Sequence, residues 1–76
     1  MCYSILNTEE IHGTTVIDLS KCGNEYSVGI FNKDTKQIAS RRYQDIDEAT
    51  AKYLEIVEYM IKGIYSFEER ARLLQA

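Results

Sequence analysis

Few residues in this 76-residue chain are of types that carry out chemistry, and their spacing decides what they can do. His12 is the only histidine, hence the one cheap base near neutral pH through which a serine, threonine or cysteine nucleophile would be activated. It precedes Gly13 without any periodic pattern around it, and a solvated loop histidine is the expectation. Cys2 and Cys22 are the only cysteines, and Cys2-x9-His12-x9-Cys22 matches no metal-ligand spacing. Carboxylate pairs exist at Asp45/Glu48 and Glu55/Glu58, but the first suits a helix cap and the second the polar face of the same helix. Gly13, Gly23, Gly29 and Gly63 are scattered singly, so no glycine-rich phosphate loop is present. These patterns point away from an enzyme and imply neither a cofactor nor a metal.

Length and charge narrow the classes further. Seventy-six residues make one domain, 1–76, with room for one core. At this size a core supplies roughly 3–5 kcal/mol of net stability, so a staple or a partner would help, and a homodimer is compatible with the sequence. No stretch has the basic start, apolar centre and small-residue cleavage site of a secretory signal. A cytoplasmic protein with two free thiols is therefore expected over a disulfide. No apolar run approaches the roughly 20 residues of a membrane helix. The net charge of −3 disfavours nonspecific nucleic-acid binding. The charge is unevenly placed: Lys33, Lys36, Arg41 and Arg42 precede Asp45, Asp47, Glu48, Glu55 and Glu58.

The elements that position these residues follow from pattern. TTVIDLS (14–20), EYSVGIFN (25–32) and QIASRRY (37–43) alternate and carry β-branched and aromatic residues, as half-buried strands do. KCGN and NKDTK between them hold turn residues, with Asp34 placed to bond its own backbone. The result is a three-stranded antiparallel meander. Asp45-x-x-Glu48 then forms a capping box for a long helix over about 45–62. Its apolar face gathers Ile46, Ala49, Tyr53, Leu54, Ile56, Val57, Met60, Ile61 and Ile64, opposite Lys52, Glu55, Glu58 and Lys62. Gly63 suits the left-handed residue that ends a helix. A second box, Ser66-x-x-Glu69, opens a short helix over about 66–75 that must dock to persist. CYSIL (2–6) suits an extra edge strand and TEEI (8–11) a helical turn. The fold class is α+β, with the long helix on the meander.

If Ile30 pairs with Ile38, the helix-facing layer is Tyr26, Val28, Ile30 and Ile38. The outer layer is then Gly29, Phe31, Ala39, Arg41 and Tyr43; a one-residue slip exchanges these faces. Neighbours on a strand point oppositely, so Arg41 and Arg42 do not form one patch.

The run from GNEYSVGIF through IASRRYQDIDEATAKY resembles the strand–strand–strand–helix module of integrase N-terminal and plant ethylene-response-type DNA-binding domains. The matching pattern is a tyrosine-bearing second strand, a polar turn, a third strand and an aromatic-to-acid helix entry, here Tyr43-Gln44-Asp45-Ile46-Asp47-Glu48-Ala49. The resemblance covers about half the chain and implies DNA binding through the sheet face, with Lys33, Lys36 and Arg41 in matching positions. The arginine- and tryptophan-rich strands of those families are replaced here by Val16, Asp18, Ser27 and Gly29, and Asp18 would repel phosphate.

Six tyrosines are many for this length, and Tyr59 projects from the polar side of the long helix. Size, acidity and aromatic surplus are similar in style to small phage and mobile-element accessory proteins, including anti-CRISPR inhibitors. The leading expectation is a stoichiometric, non-enzymatic protein-binding module, in which Glu48, Glu55, Glu58 and Tyr59 engage a basic, nucleic-acid-binding protein. An outer sheet patch of Phe31, Lys33, Lys36, Arg41 and Tyr43 is the second candidate surface, for a partner or a sister subunit. The alternative reading is a DNA-binding domain that uses this patch.

Overall fold

The computed structural model describes residues 3–63 and 67–75, with backbone alone at Tyr3. Four strands form one antiparallel meander: β1 (Tyr3–Ile11), β2 (Thr15–Cys22), β3 (Glu25–Asn32) and β4 (Ile38–Tyr43). Two helices follow, α1 (Ile46–Ile61) and α2 (Phe67–Gln75). The α+β class, the three-stranded meander formed by β2, β3 and β4, and the extra N-terminal strand agree with the sequence reading. Thr8–Ile11 does not form a helical turn; it continues β1, whose Glu9 and Glu10 pair with Ile17 and Val16 of β2. Charged residues are tolerated there because β1 is an edge strand with solvent beside it.

Strand alternation sets the core. Ile17 pairs with Ile30 and Leu19 with Val28, placing four apolar side chains on one face of the two central strands. α1 lays a narrow stripe on them, Ala49, Tyr53, Ile56 and Met60, spaced as one helical face requires. Leu74 of α2 completes the cluster on that side, with Phe67 and Leu73 packed against it. The apolar face expected from sequence was too wide: Ile46, Leu54 and Ile61 are exposed. Two central strands offer a floor only one helix-stripe across, and residues beyond it turn to solvent. Ile64 and Ser66 lie outside the described residues.

Three local features fix the ends of these elements. Asp45 caps α1 through Oδ1, which accepts the Asp47 N–H at 2.9 Å. The return bond from Glu48 is absent among the described residues, so half of the expected capping box forms. At the other end the Lys62 N–H donates to Tyr59 O at 3.3 Å and the Gly63 N–H to Met60 O at 3.4 Å, tightening the last turn. His12 reaches the same turn. It adopts a left-handed φ of 55° beside Gly13 in the β1–β2 connection, and its Nε2 donates to Met60 O at 2.9 Å and Gly63 O at 3.1 Å. The histidine is thus an exposed turn residue, as expected, whose ring also caps the end of a distant helix.

The β3–β4 register departs from the sequence reading. Ile30 pairs with Ala39, and Phe31 with Ile38. Ala39, Arg41 and Tyr43 therefore face the helices, and Ile38 and Ser40 face outward, the one-residue slip that exchanges sides. The β3–β4 turn imposes this. Asn32 Oδ1, and not Asp34, accepts the N–H groups of Asp34 at 2.9 Å and Thr35 at 3.1 Å, while Lys36 takes a left-handed φ of 63°. β1 carries a second irregularity, a register shift between Ile5 and Asn7 that makes Leu6 the extra residue of a bulge. Cys22 is disulfide-bonded and not the free thiol expected; Cys2 lies outside the described residues.

Arg70 of α2 is 4 % exposed, and its Nε and Nη1 find no hydrogen-bond acceptor among the described residues. Desolvated guanidinium donors without acceptors are costly. Arg70→Met should therefore raise stability by about 1 kcal/mol in urea denaturation, since it keeps the stem and removes unsatisfied donors. His12→Ala should do the opposite. It removes the ring donor shared by the Met60 and Gly63 carbonyls and should cost about 1 kcal/mol, with faster hydrogen exchange at the Lys62 and Gly63 amides.

Candidate functional site

Two surfaces remain outside the core, and the candidate residues divide between them. The first is the outward face of α1. Leu54 and Ile61, seven residues apart, share one flank at 56 % and 60 % exposure. Tyr59 lies on the other flank, about 140° round the helix from Leu54, at 43 % exposure. Glu55, Glu58, Ala51 and Lys62 occupy the arc between, and with Leu54 and Tyr59 they line a shallow groove of about 420 Å³. The carboxylates are held by lysines of the same helix, Glu55 by Lys52 at 3.4 Å and Glu58 by Lys62 at 3.1 Å. The Glu58–Lys62 pair is exposed at both ends and contributes little, whereas the Lys52 side chain is largely buried beside Glu55. Glu48 is exposed one turn before this groove and does not line it.

The second surface is the sheet face away from the helices. Strand pairing arranges it in rows: Ile5–Ser20–Ser27–Arg42, then Thr8–Asp18–Gly29–Ser40, then Glu10–Val16–Phe31–Ile38. The centre is built of small residues, so it sinks below the two corners, where Ile5 and Ile38 stand 69 % and 72 % exposed. Asp18 sits on the floor of this trough beside Gly29. A β-carbon at Gly29 would lie 3.2 Å from Asp18 Oδ1, so the glycine makes room for the carboxylate. Ser20 Oγ donates to Asp18 Oδ1 at 3.2 Å. Burial pushes the Asp18 carboxyl above its ordinary value of 3.8, and the Ser20 hydrogen bond opposes that rise.

The expected basic patch on this face does not assemble. Phe31 is there, but Arg41 and Tyr43 lie on the helix-facing side because of the β4 register. Arg41 stacks over the Tyr43 ring, 5.1 Å from its centroid, and its Nη1 donates to Leu74 O at 3.4 Å. Both residues thus help to seat α2. Lys33, in the β3–β4 turn, pairs with Glu10 at 3.1 Å, and Arg42 on the open face pairs with Glu25 at 3.2 Å. Lys36 is exposed in the same turn as Lys33. From sequence, Asp18 stands out only as a residue of the sheet face that would repel phosphate, Ile38 falls on the helix-facing side, and neither of them, nor Ile5, reads as part of a site. The legible signal was Asp18-x-Ser20 alternating on one strand with Ser27-x-Gly29 on the next, which marks a strand face too polar and too small for a core.

Among the described residues no group of His, Cys, Asp or Glu is arranged to hold a metal ion, and no helix is long and apolar enough to cross a membrane.

The raised Asp18 value fixes a pH dependence. Between about 3.8 and its folded value, the folded state holds more protons at this group than the unfolded state, so its contribution falls as pH rises. Asp18→Asn should flatten that decline and leave the variant at least as stable as the parent at pH 7, measured by thermal denaturation from pH 3 to pH 7. No family model, no curated protein and no solved structure matches the chain.

Proposed function

We propose that this chain is a non-enzymatic protein-binding module that acts stoichiometrically through the outward face of α1. The observation that carries this reading is the exposure of Leu54, Tyr59 and Ile61 on a helix whose other apolar stripe is already spent on the core. Large apolar side chains grouped on a charged surface fit an interface better than solvent. Glu55 and Glu58 between them favour a basic partner, such as the nucleic-acid-binding surface of another protein. Opposite charge speeds such an encounter, and the tyrosine and aliphatic groups hold the complex once water is expelled. An inhibitor encoded by a phage or mobile element and directed at a host protein is one setting for such a module.

DNA binding through the sheet, the second reading, gains no support from the placement of its residues. Arg41 and Tyr43 face the helices, Arg42 and Lys33 are matched by carboxylates, and Asp18 occupies the middle of the open face.

Tyr59→Ala and Glu55→Lys test the helix surface, because neither side chain belongs to the core cluster. Each should weaken binding to the protein captured by the parent chain by about tenfold or more, with the thermal midpoint unchanged. Parent-like affinity in both variants would exclude this face.

A further inference from the structure

The trough on the open sheet face is a second surface, independent of the α1 groove, and its chemistry is specific enough to name an occupant. It measures about 290 Å³. Its floor is polar and its rims are apolar: the Asp18 carboxylate and the Ser20, Ser27 and Ser40 hydroxyls lie below, and Ile5 and Ile38 stand above. Among the described residues, the other ionised groups of this face are matched, Arg42 with Glu25 and Lys33 with Glu10, whereas Asp18 has no ion pair. Its hydrogen bond from Ser20 engages one carboxylate oxygen. We propose that the trough receives one lysine or arginine side chain of a partner protein, with the cationic head on Asp18 and the aliphatic stem against Ile5 and Ile38.

Each part of the site matches a part of that side chain. A long basic side chain is apolar along its stem and charged at its tip, and it covers apolar surface while its head finds a partner. The ammonium or guanidinium has several donors, and the serine hydroxyls retain lone pairs to accept those that Asp18 does not. Gly29 is essential to the depth, since any side chain there would rise against the carboxylate. Burial also disfavours a bare carboxylate at this position, and an arriving cation removes that cost. A phosphate or a nucleic-acid backbone would meet the wrong sign of charge.

The test uses the full chain and two short peptides, acetyl-Val-Lys-Val-amide and its counterpart with norleucine for lysine, followed by amide chemical shifts. The lysine peptide should move Ser27, Gly29 and Ser40 saturably, bind more weakly as salt rises, and lose about tenfold in affinity to Asp18→Asn. Gly29→Ala should also weaken it. That variant needs no unusual backbone angle, and the dispersion of its amide spectrum reports whether it is folded. Equal binding of the norleucine peptide, an unchanged affinity in Asp18→Asn, shifts confined to α1, or no saturable shift would each overturn the proposal. Tyr59→Ala should leave the peptide affinity unaltered, so failure of the helix face and failure of the sheet face are read separately.

Discussion

The packing of Ala49, Tyr53, Ile56 and Met60 onto the inward side chains of β2 and β3 is the constraint on which the rest of the molecule depends. A chain this short can build one apolar layer, and the two central strands supply its floor. Everything outside that contact is arranged to complete it. Arg41 and Tyr43 bring α2 against the sheet edge, and His12 ties the end of α1 to the opposite edge. The helices thereby occupy one side of the sheet, and the other side is left open by geometry.

That one-sidedness explains why both candidate surfaces exist. A helix pressed on two strands buries a stripe, and any apolar residue beyond the stripe is presented to solvent. Leu54 and Ile61 are in that position on α1. On the sheet, small and polar residues take the places where a second layer would have needed large apolar ones. Ser20, Ser27 and Gly29 are therefore low in exposure without being part of the apolar core: neighbours on the sheet crowd them, and among the described residues no second layer covers them.

Much of the frame was legible from the sequence because it rests on local signals. The Asp45 cap, the period of α1 and the alternation of β2 and β3 each act within a few residues, and each appears in the structure. What depended on distant partners was not legible. The side of β4 that turns inward is decided by the β3–β4 turn and by the burial of Tyr43, against the pull of Ile38, and both outcomes are consistent with the alternation of IASRRY. The capping role of His12 joins residues 48 positions apart, which no spacing rule reveals. The end of β1 was misread because acids suggest a helical turn, while an edge strand accepts them without penalty. For the candidate sites, Tyr59 was found because it breaks a period. Asp18 was legible only as a charge that would repel phosphate, because the trough around it is made by four strands together.

The bulge at Leu6 has a consequence beyond the register of one strand pair. β1 is a long outer strand, and its unpaired backbone is the kind of template along which a second chain can add. The shift between Ile5 and Asn7 puts the two halves of that template out of step. An incoming strand that matches one half meets the other with its donors and acceptors displaced by a residue. A regular strand therefore finds no single register along the whole of this margin, which is the way bulges blunt an open sheet edge.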